Sequence, residues 1–260
     1  MKVEKVKVVE HREHAGEYRI ITVLAPLIAS SVRPGQFVHL KVPRLDGAVL
    51  RRPFSVFMAD RKRLTILYKC VGKGTHAMRS IVNGDELSLM GPMGNGFPMP
   101  SKKAFPVFVA GGYGVAPLYF LARRMRRKGI IFMGGAKAGD ILCAKDFRRL
   151  GWKVVVATED GSMGTRGLVT RPLDKWLSME LVEEAEFFVC GPDGLLRAVG
   201  ERAKLFGWKA WLSLDKHMGC GVGACLACVQ KIKTADGEEV LARVCREGPV
   251  FEAREVVWES

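Results

Sequence analysis

The sequence predicts a multidomain β plus α/β protein: an N-terminal antiparallel β-barrel, a central open parallel sheet and a small C-terminal segment organised by cysteines. Three observations predict it. Residues 1–98 hold short β-rich runs separated by turn signals, residues 99–210 alternate apolar strands with helical patterns, and four of the seven cysteines crowd into residues 211–260. The expected domains are therefore 1–98, 99–210 and 211–260.

In the first segment the runs are Lys5 to Glu10, Tyr18 to Ala25, Gln36 to Val42, Phe54 to Met58, Leu64 to Tyr68 and Glu86 to Met90. Pro34-Gly35, Asp46-Gly47 and Asn83-Gly84 punctuate them. Several short strands at this spacing predict an antiparallel barrel or sandwich. In the second segment Pro106 to Ala110 leads through a glycine-rich turn into a helix over Pro117 to Lys128, followed by strands at Ile130 to Met133, Lys153 to Ala157 and Glu186 to Cys190. Strands alternating with helices imply right-handed crossovers and a parallel sheet, so this segment reads as nucleotide-binding. The last fifty residues are too few for a complete ferredoxin domain and must lean on the others.

At 260 residues with 48% hydrophobic and 26% charged content, the chain is long enough for two packed domains and an appendage. It contains no run of 18 apolar residues, and its start alternates Lys and Glu with Val where a signal peptide needs an apolar core. A cytoplasmic protein with no membrane association is expected. A net charge of +14 invites a nucleic-acid reading. The basic residues are dispersed, however, and the densest run, Arg123 to Lys128, reads as a solvated helix face, so no nucleic-acid partner is expected. A basic balance equally suits anionic cofactors and docking to another subunit. Asn and Gln are scarce, with only Asn83, Asn95, Gln36 and Gln230, which hints at a thermophilic source, although seven Cys and eleven Met are not depleted in step.

The strongest chemical signal is Cys220-Gly-Val-Gly-Ala-Cys225-Leu-Ala-Cys228, with Cys245 further on. This is the C-x4-C-x2-C plus distant Cys spacing of plant-type [2Fe-2S] sites, whose small-residue loop lets backbone N–H groups point at sulfur. Gly219, Gly221 and Gly223 suit that wrapping. A structural zinc site would favour paired C-x2-C knuckles, and only one pair is present. His217 is read as no ligand, because four thiolates complete the set. Cys70, Cys143 and Cys190 lie singly in apolar surroundings and read as buried small hydrophobes.

Other segments are weaker alone. Arg51-Arg52-Pro53-Phe54-Ser55 offers a basic group and a hydroxyl at a strand start. Val71-Gly72-Lys73-Gly74-Thr75 precedes a helical pattern over Ala77 to Val82, as either a pyrophosphate cradle or an ordinary Gly turn with a Thr N-cap. Gly111-Gly112-Tyr113-Gly114-Val115-Ala116-Pro117 lacks the complete dinucleotide fingerprint but sits between strand and helix, where such a unit accepts a nucleotide. Cys190-Gly191-Pro192 ends another strand of the same sheet, so Gly111, Gly112, Gly114, Cys190, Gly191 and Pro192 are expected to face one crevice, for NAD. Without the Gly111 to Pro117 turn, Cys190 would read as a core thiol at a strand end. Glu159 to Gly164 follows a strand and reads as either a ribose-binding acidic turn, which would suit NAD over NADP, or a solvated turn. No Ser-His-Asp arrangement or HExxH motif is apparent.

With these residues in order, the chain resembles the electron-transfer subunit of B-type dihydroorotate dehydrogenase, within the ferredoxin-reductase superfamily. The resemblance spans essentially the full length. It is carried by Arg52-Pro53-Phe54-Ser55, Leu67-Tyr68-Lys69, Gly74-Thr75, Gly91 to Phe97, the Gly111 to Pro117 turn and the cysteine block ending in Val244 to Phe251. It implies a flavin-binding barrel, an NAD-binding α/β domain and a cluster domain. Arg52, Pro53, Phe54 and Ser55 would line FAD, Leu67, Tyr68 and Lys69 its ribityl and phosphate region, and Gly74 with Thr75 its pyrophosphate. Cys220, Cys225, Cys228 and Cys245 would hold the cluster. Tyr113 departs from the family's usual aliphatic residue, which bears on nucleotide preference, and the interval before Cys245 is long, which bears on a surface loop. The implied partner is an FMN-containing catalytic subunit that oxidises dihydroorotate, in a heterotetramer with two of each. A subunit of a cytosolic hydrogenase or sulfide dehydrogenase is the alternative within the superfamily. The cysteine spacing argues against a ferredoxin:NADP oxidoreductase. A zinc-stabilised binding module is the alternative of another class.

Overall fold

From Lys2 onward charged residues alternate with apolar ones, and this period of two makes β1 (Lys2–Ala15), in which Val6 and Val8 are buried while Lys5 and Lys7 face water. The structure is a computed structural model that describes residues 1–44, 47, 49–179 and 182–259; Asp46 of the expected Asp46-Gly47 turn lies outside the described residues. β2 (Tyr18–Leu24), the one-turn α1 (Pro26–Ala29), β3 (Phe37–Lys41), β4 (Arg52–Ala59), β5 (Arg63–Lys69), α2 (Lys73–Ala77) and β6 (Glu86–Met93) follow. The strands close into an antiparallel barrel in the order β1-β2-β5-β4-β3-β6. Its interior is filled by residues such as Ile21, Val38, Leu40, Val56, Ile66 and Leu89.

The helix expected over Ala77 to Val82 instead begins four residues earlier, as α2, and ends in a 3-10 turn over Met78–Ser80. Gly72, with extended backbone, is its N-cap, and Thr75 stands at the third helical position, not at the cap.

The second region runs β7 (Phe105–Gly111), α3 (Val115–Arg124), β8 (Ile130–Gly135), α4 (Ala144–Arg149), β9 (Lys153–Thr158), β10 (Thr165–Arg166), α5 (Thr170–Leu177), β11 (Ala185–Cys190), α6 (Asp193–Leu205) and β12 (Lys209–Ser213). β13 (Val229–Lys233), β14 (Glu239–Arg243) and β15 (Val250–Glu252) complete the chain. The main sheet has the order β10-β9-β8-β7-β11-β12-β15, parallel throughout except that β15 pairs antiparallel with β12. From β7 the chain winds outward through β8, β9 and β10 and then returns to β11 on the other side. The switch point therefore lies between β7 and β11, where ligands bind in open α/β sheets.

α3 ends at Arg124, not Lys128, because Met125 turns to extended backbone and buries its side chain. The basic run thus straddles a helix end. β12 crosses residue 210, and β15, from the cysteine-bearing segment, forms one edge of the sheet. The long interval before Cys245 is the β13-β14 hairpin.

One apolar cluster joins barrel and sheet: Tyr18, Ile20, Phe57, Leu67 and Phe97 pack with Phe108, Leu118, Phe188 and Val250. Phe57 stacks on Tyr119 of α3 at 4.7 Å between centroids, and Phe97 meets Phe188 edge-on.

Candidate redox centre and nucleotide crevice

The four cysteines come together in two pairs. Cys220 and Cys225 face each other across the loop: the backbone N–H groups of Cys225 and Val222 point at Cys220 Sγ at 3.3 and 3.4 Å, and that of Cys220 points at Cys225 Sγ at 3.5 Å. These donors, that of Cys225 foremost, hold the Cys220 thiol down at about 6, so it is a ready thiolate. Cys228 and Cys245 are 1% and 2% exposed and adjoin each other, because Val244 N–H donates to the Cys228 carbonyl at 2.9 Å. Burial, then the neighbouring Cys228 sulfur, pushes Cys245 upward, against a hydrogen bond from the Gly223 backbone.

The loop's glycines are needed where they stand. Gly223 has φ +81°, and a Cβ there would lie 2.7 Å from Arg246 Cδ. A Cβ on Gly219 would press on Cys225 Sγ at 3.3 Å. Arg243 ties both halves together by donating to the Gly223 carbonyl (3.0 Å) and to both carboxylate oxygens of Glu247 (2.6 and 3.1 Å), which brackets Cys245. Asn95, after the barrel's last strand, donates to the Glu247 carbonyl at 2.9 Å and so seats the segment that follows Cys245. Four soft sulfur donors with backbone N–H groups already aimed at sulfur fit an iron-sulfur cluster. Among the described residues no three His, Cys, Asp or Glu side chains converge as a cage for one ion. His217 is exposed.

On the barrel, Arg52, Pro53, Phe54 and Ser55 form a continuous half-buried stretch at the start of β4. Arg52 and Gly74 meet: a Cβ on Gly74 would stand 3.2 Å from Arg52 Nε. Leu67 belongs to the cluster between barrel and sheet, while Tyr68, one residue on, points inside the barrel and bonds its hydroxyl to His11 Nε2 at 2.9 Å. Lys69 places its ammonium 3.3 Å from Asp140 Oδ1, which also accepts from the Tyr18 hydroxyl at 2.6 Å. The Thr75 hydroxyl is engaged within its own turn, accepting from Val71 and Gly72 N–H at 2.9 and 3.1 Å.

The two glycine turns of the sheet meet at the switch point. A Cβ on Gly114 would fall on the Cys190 carbonyl, one on Gly111 would stand 2.7 Å from Pro192 Cδ, and one on Gly191 would stand 3.0 Å from Gly111 Cα. Gly112 adopts φ +52°. These glycines thus serve close backbone packing at the crevice mouth. Cys190 is also the core thiol the strand pattern allowed, since burial pushes it up to about 12. Tyr113 is 47% exposed and donates to Asp215 at 3.3 Å. In the Glu159 to Gly164 turn, Asp160 accepts from the Ser162 N–H and hydroxyl at 2.9 and 2.6 Å, and the Ser162 hydroxyl oxygen accepts from the Ala138 N–H at 2.8 Å, which ties the turn to the loop after β8. Sequence reasoning missed Asp140, His39 and Arg243. It also missed a cleft of about 640 Å³ where Arg33, Asn95, Phe97, Trp211 and Glu247 meet.

A closed antiparallel barrel, a parallel sheet with a glycine crevice and a four-cysteine segment define an electron-transfer protein of the ferredoxin-reductase fold. A chain of the NADH-dependent reduced ferredoxin-NADP oxidoreductase, studied for flavin-based electron bifurcation, superposes with a TM-score of 0.84 at 26% identity, covering 97% of this chain and 90% of its own. The ferredoxin NADP+ reductase of Neisseria gonorrhoeae, with FAD and NADP bound, shares the fold at a TM-score of 0.65 and 18% identity over 80% of this chain and 92% of its own. The family model for the iron-sulfur cluster binding domain of dihydroorotate dehydrogenase B matches residues 215–257. The electron transfer subunits of dihydroorotate dehydrogenase B (NAD(+)) from Desulforamulus reducens and Geobacillus thermodenitrificans are each 37% identical, over 90% and 98% of both chains respectively. The chain belongs to this family of dihydroorotate dehydrogenase B electron transfer subunits.

Proposed function

We propose that this chain passes electrons between a partner dehydrogenase subunit and NAD by way of a [2Fe-2S] cluster and FAD, in the oxidation of dihydroorotate to orotate for pyrimidine biosynthesis. The observation that carries the reading is the cysteine segment, with backbone N–H groups already directed at sulfur, inside a chain that matches these subunits over nearly its whole length. When bound, the flavin supplies the exchange between a two-electron hydride and one-electron transfer.

Cys220, Cys225, Cys228 and Cys245 hold the cluster, with Arg243 and Asn95 fixing the loop around it. Arg52, Pro53, Phe54 and Ser55 line the flavin from the half-buried start of β4, and Arg52 lies against Gly74 so that one basic group serves the same phosphate-binding corner as Gly74 and Thr75. Leu67, Tyr68 and Lys69 flank it, with the Lys69 ammonium anchored on Asp140. Gly111, Gly112, Gly114, Cys190, Gly191 and Pro192 form the NAD crevice. The division into residues 1–98 for flavin, 99–210 for nucleotide and 211–260 for the cluster follows, the third segment lending β15 to the sheet of the second. The partner is the FMN-containing catalytic subunit, two of each in a heterotetramer, and it holds the dihydroorotate site. The complex works in the cytoplasm; among the described residues no helix is long and apolar enough to cross a membrane.

Anaerobic NAD reduction by dihydroorotate, with this chain co-purified with its catalytic subunit, tests the reading. Activity should require both chains and disappear in Cys225→Ser, together with the bound iron and sulfide. Bleaching of flavin and cluster by NADH without any orotate-forming activity would instead assign the chain to another partner, such as a hydrogenase.

A further inference from the structure

His39 lies in β3, paired with Pro53 of β4 and Met90 of β6. Its ring has no exposed surface, and neither Nδ1 nor Nε2 has a hydrogen-bond partner. Buried polar atoms are nearly always paired, so a partner is expected where this ring points. It points at the cluster loop: a Cβ on Gly221, the residue after Cys220, would stand 2.6 Å from Nε2 and 2.8 Å from Nδ1. Phe37 covers another side of the ring at 5.7 Å between centroids. Burial, then the Arg51 charge, lowers the His39 pKa to about 4, so the neutral ring has one N–H to give.

We propose that His39 is a positioning residue whose ring N–H donates to a sulfide of the bound iron-sulfur cluster and thereby raises the cluster's reduction potential. The inference rests on the reading that the four cysteines hold a [2Fe-2S] cluster. Reduction adds one negative charge that is spread over the sulfurs, and a donor aimed at sulfur stabilises the reduced form. The flavin-lining strand β4 is the immediate neighbour of β3, so the same ring also joins the barrel to the cluster loop.

The experiment uses the full chain, reconstituted anaerobically, with iron and acid-labile sulfide measured first. Wild-type protein lacking cluster iron would overturn the cluster reading and this proposal together. With the cluster present, potentiometric titration followed by EPR should show the reduced-to-oxidised ratio at a fixed potential falling about tenfold in His39→Phe, about 59 mV for a one-electron couple. His39→Gln, which keeps an N–H donor, should shift less. In wild-type protein labelled with 15N-histidine, pulsed EPR of the reduced cluster should show a nitrogen coupling that His217→Phe retains and His39→Phe loses. This coupling decides the matter even where His39→Phe fails to load its cluster. A loaded wild-type cluster without that coupling, an unchanged cluster potential in His39→Phe, or a shift confined to the flavin potential would overturn the proposal and leave the cluster reading standing.

Discussion

Tyr18 and Lys69 reach one carboxylate, Asp140, from neighbouring barrel strands, although Asp140 belongs to a turn of the other region. Burial pushes the Asp140 carboxyl upward, but the Tyr18 hydroxyl and the Lys69 ammonium more than offset this and hold it below its ordinary value. Burial and the same hydrogen bond push the Tyr18 hydroxyl up, so it stays a donor at any physiological pH. A hydrogen bond to a buried charge contributes about 1.5–3 kcal/mol. Tyr18→Phe, which leaves Lys69 in place, should therefore cost about 1–2 kcal/mol, read as a lower urea midpoint at pH 7. The pH dependence follows from the depressed folded pKa. The stabilisation is fully present above the unfolded carboxyl value of about 3.9 and is lost as pH falls through the lower folded value. Wild-type protein should thus lose stability more steeply than Asp140→Asn in that acidic window, and parallel urea series at pH 7 and below pH 4 would check it.

Among the connecting elements, the turn between β7 and α3 sets two glycines with different constraints side by side. A Cβ on Gly114 would strike the Cys190 carbonyl, whereas one on Gly112 meets only the Tyr18 hydroxyl, at 3.6 Å, and carries the strain of its positive φ. Gly112→Ala should therefore cost about 1 kcal/mol, and Gly114→Ala about 1–3 kcal/mol or more, because backbone must move. Thermal unfolding of the two variants side by side should show that order. The six barrel strands and β7, β8, β9 and β11 of the main sheet were legible in the sequence because each carries its own period-two or apolar signature. The two-residue β10, β12 and the β13-β14 hairpin were not, and neither were three further features. β15 is three residues long and exists only because β12 offers it an edge. α6 carries Gly194 in its first turn and Gly200 in its interior, which argue against a helix until Gly200 is seen with its Cβ position 3.1 Å from Ala253. His39 looks like an outward residue of a barrel strand, yet both faces of Phe37 to Leu40 are buried because the cysteine loop covers the outer one. The uninterrupted Phe37 to Leu40 run, without a solvated charge until Lys41, was the available signal. The cysteine spacing announced its chemistry outright, while the interlocking of Lys69 with Asp140 and of Arg243 with Glu247 depends on side chains that only the fold brings together.

Taken as a whole, the three segments are not independent bodies. The cluster holding Phe37, Cys228, Val244, Cys245 and Phe251 is continuous with Val107, Phe187 and Leu212 of the main sheet. Phe251→Ala should therefore cost about 3–5 kcal/mol and lower the stability of the nucleotide sheet and the cysteine segment together, as a single shifted transition by near-UV dichroism. Two separated melts would contradict that coupling. The placement of β15 also has a consequence for biosynthesis. β12 ends at Ser213 and its outer neighbour begins only at Val250. During translation at about 5–20 residues per second, the far edge of the sheet waits about two to seven seconds without its covering strand. In that interval the nascent chain presents an unpaired strand edge, the template on which chains aggregate. The ribosome must make the whole cysteine loop and hairpin before that edge can close.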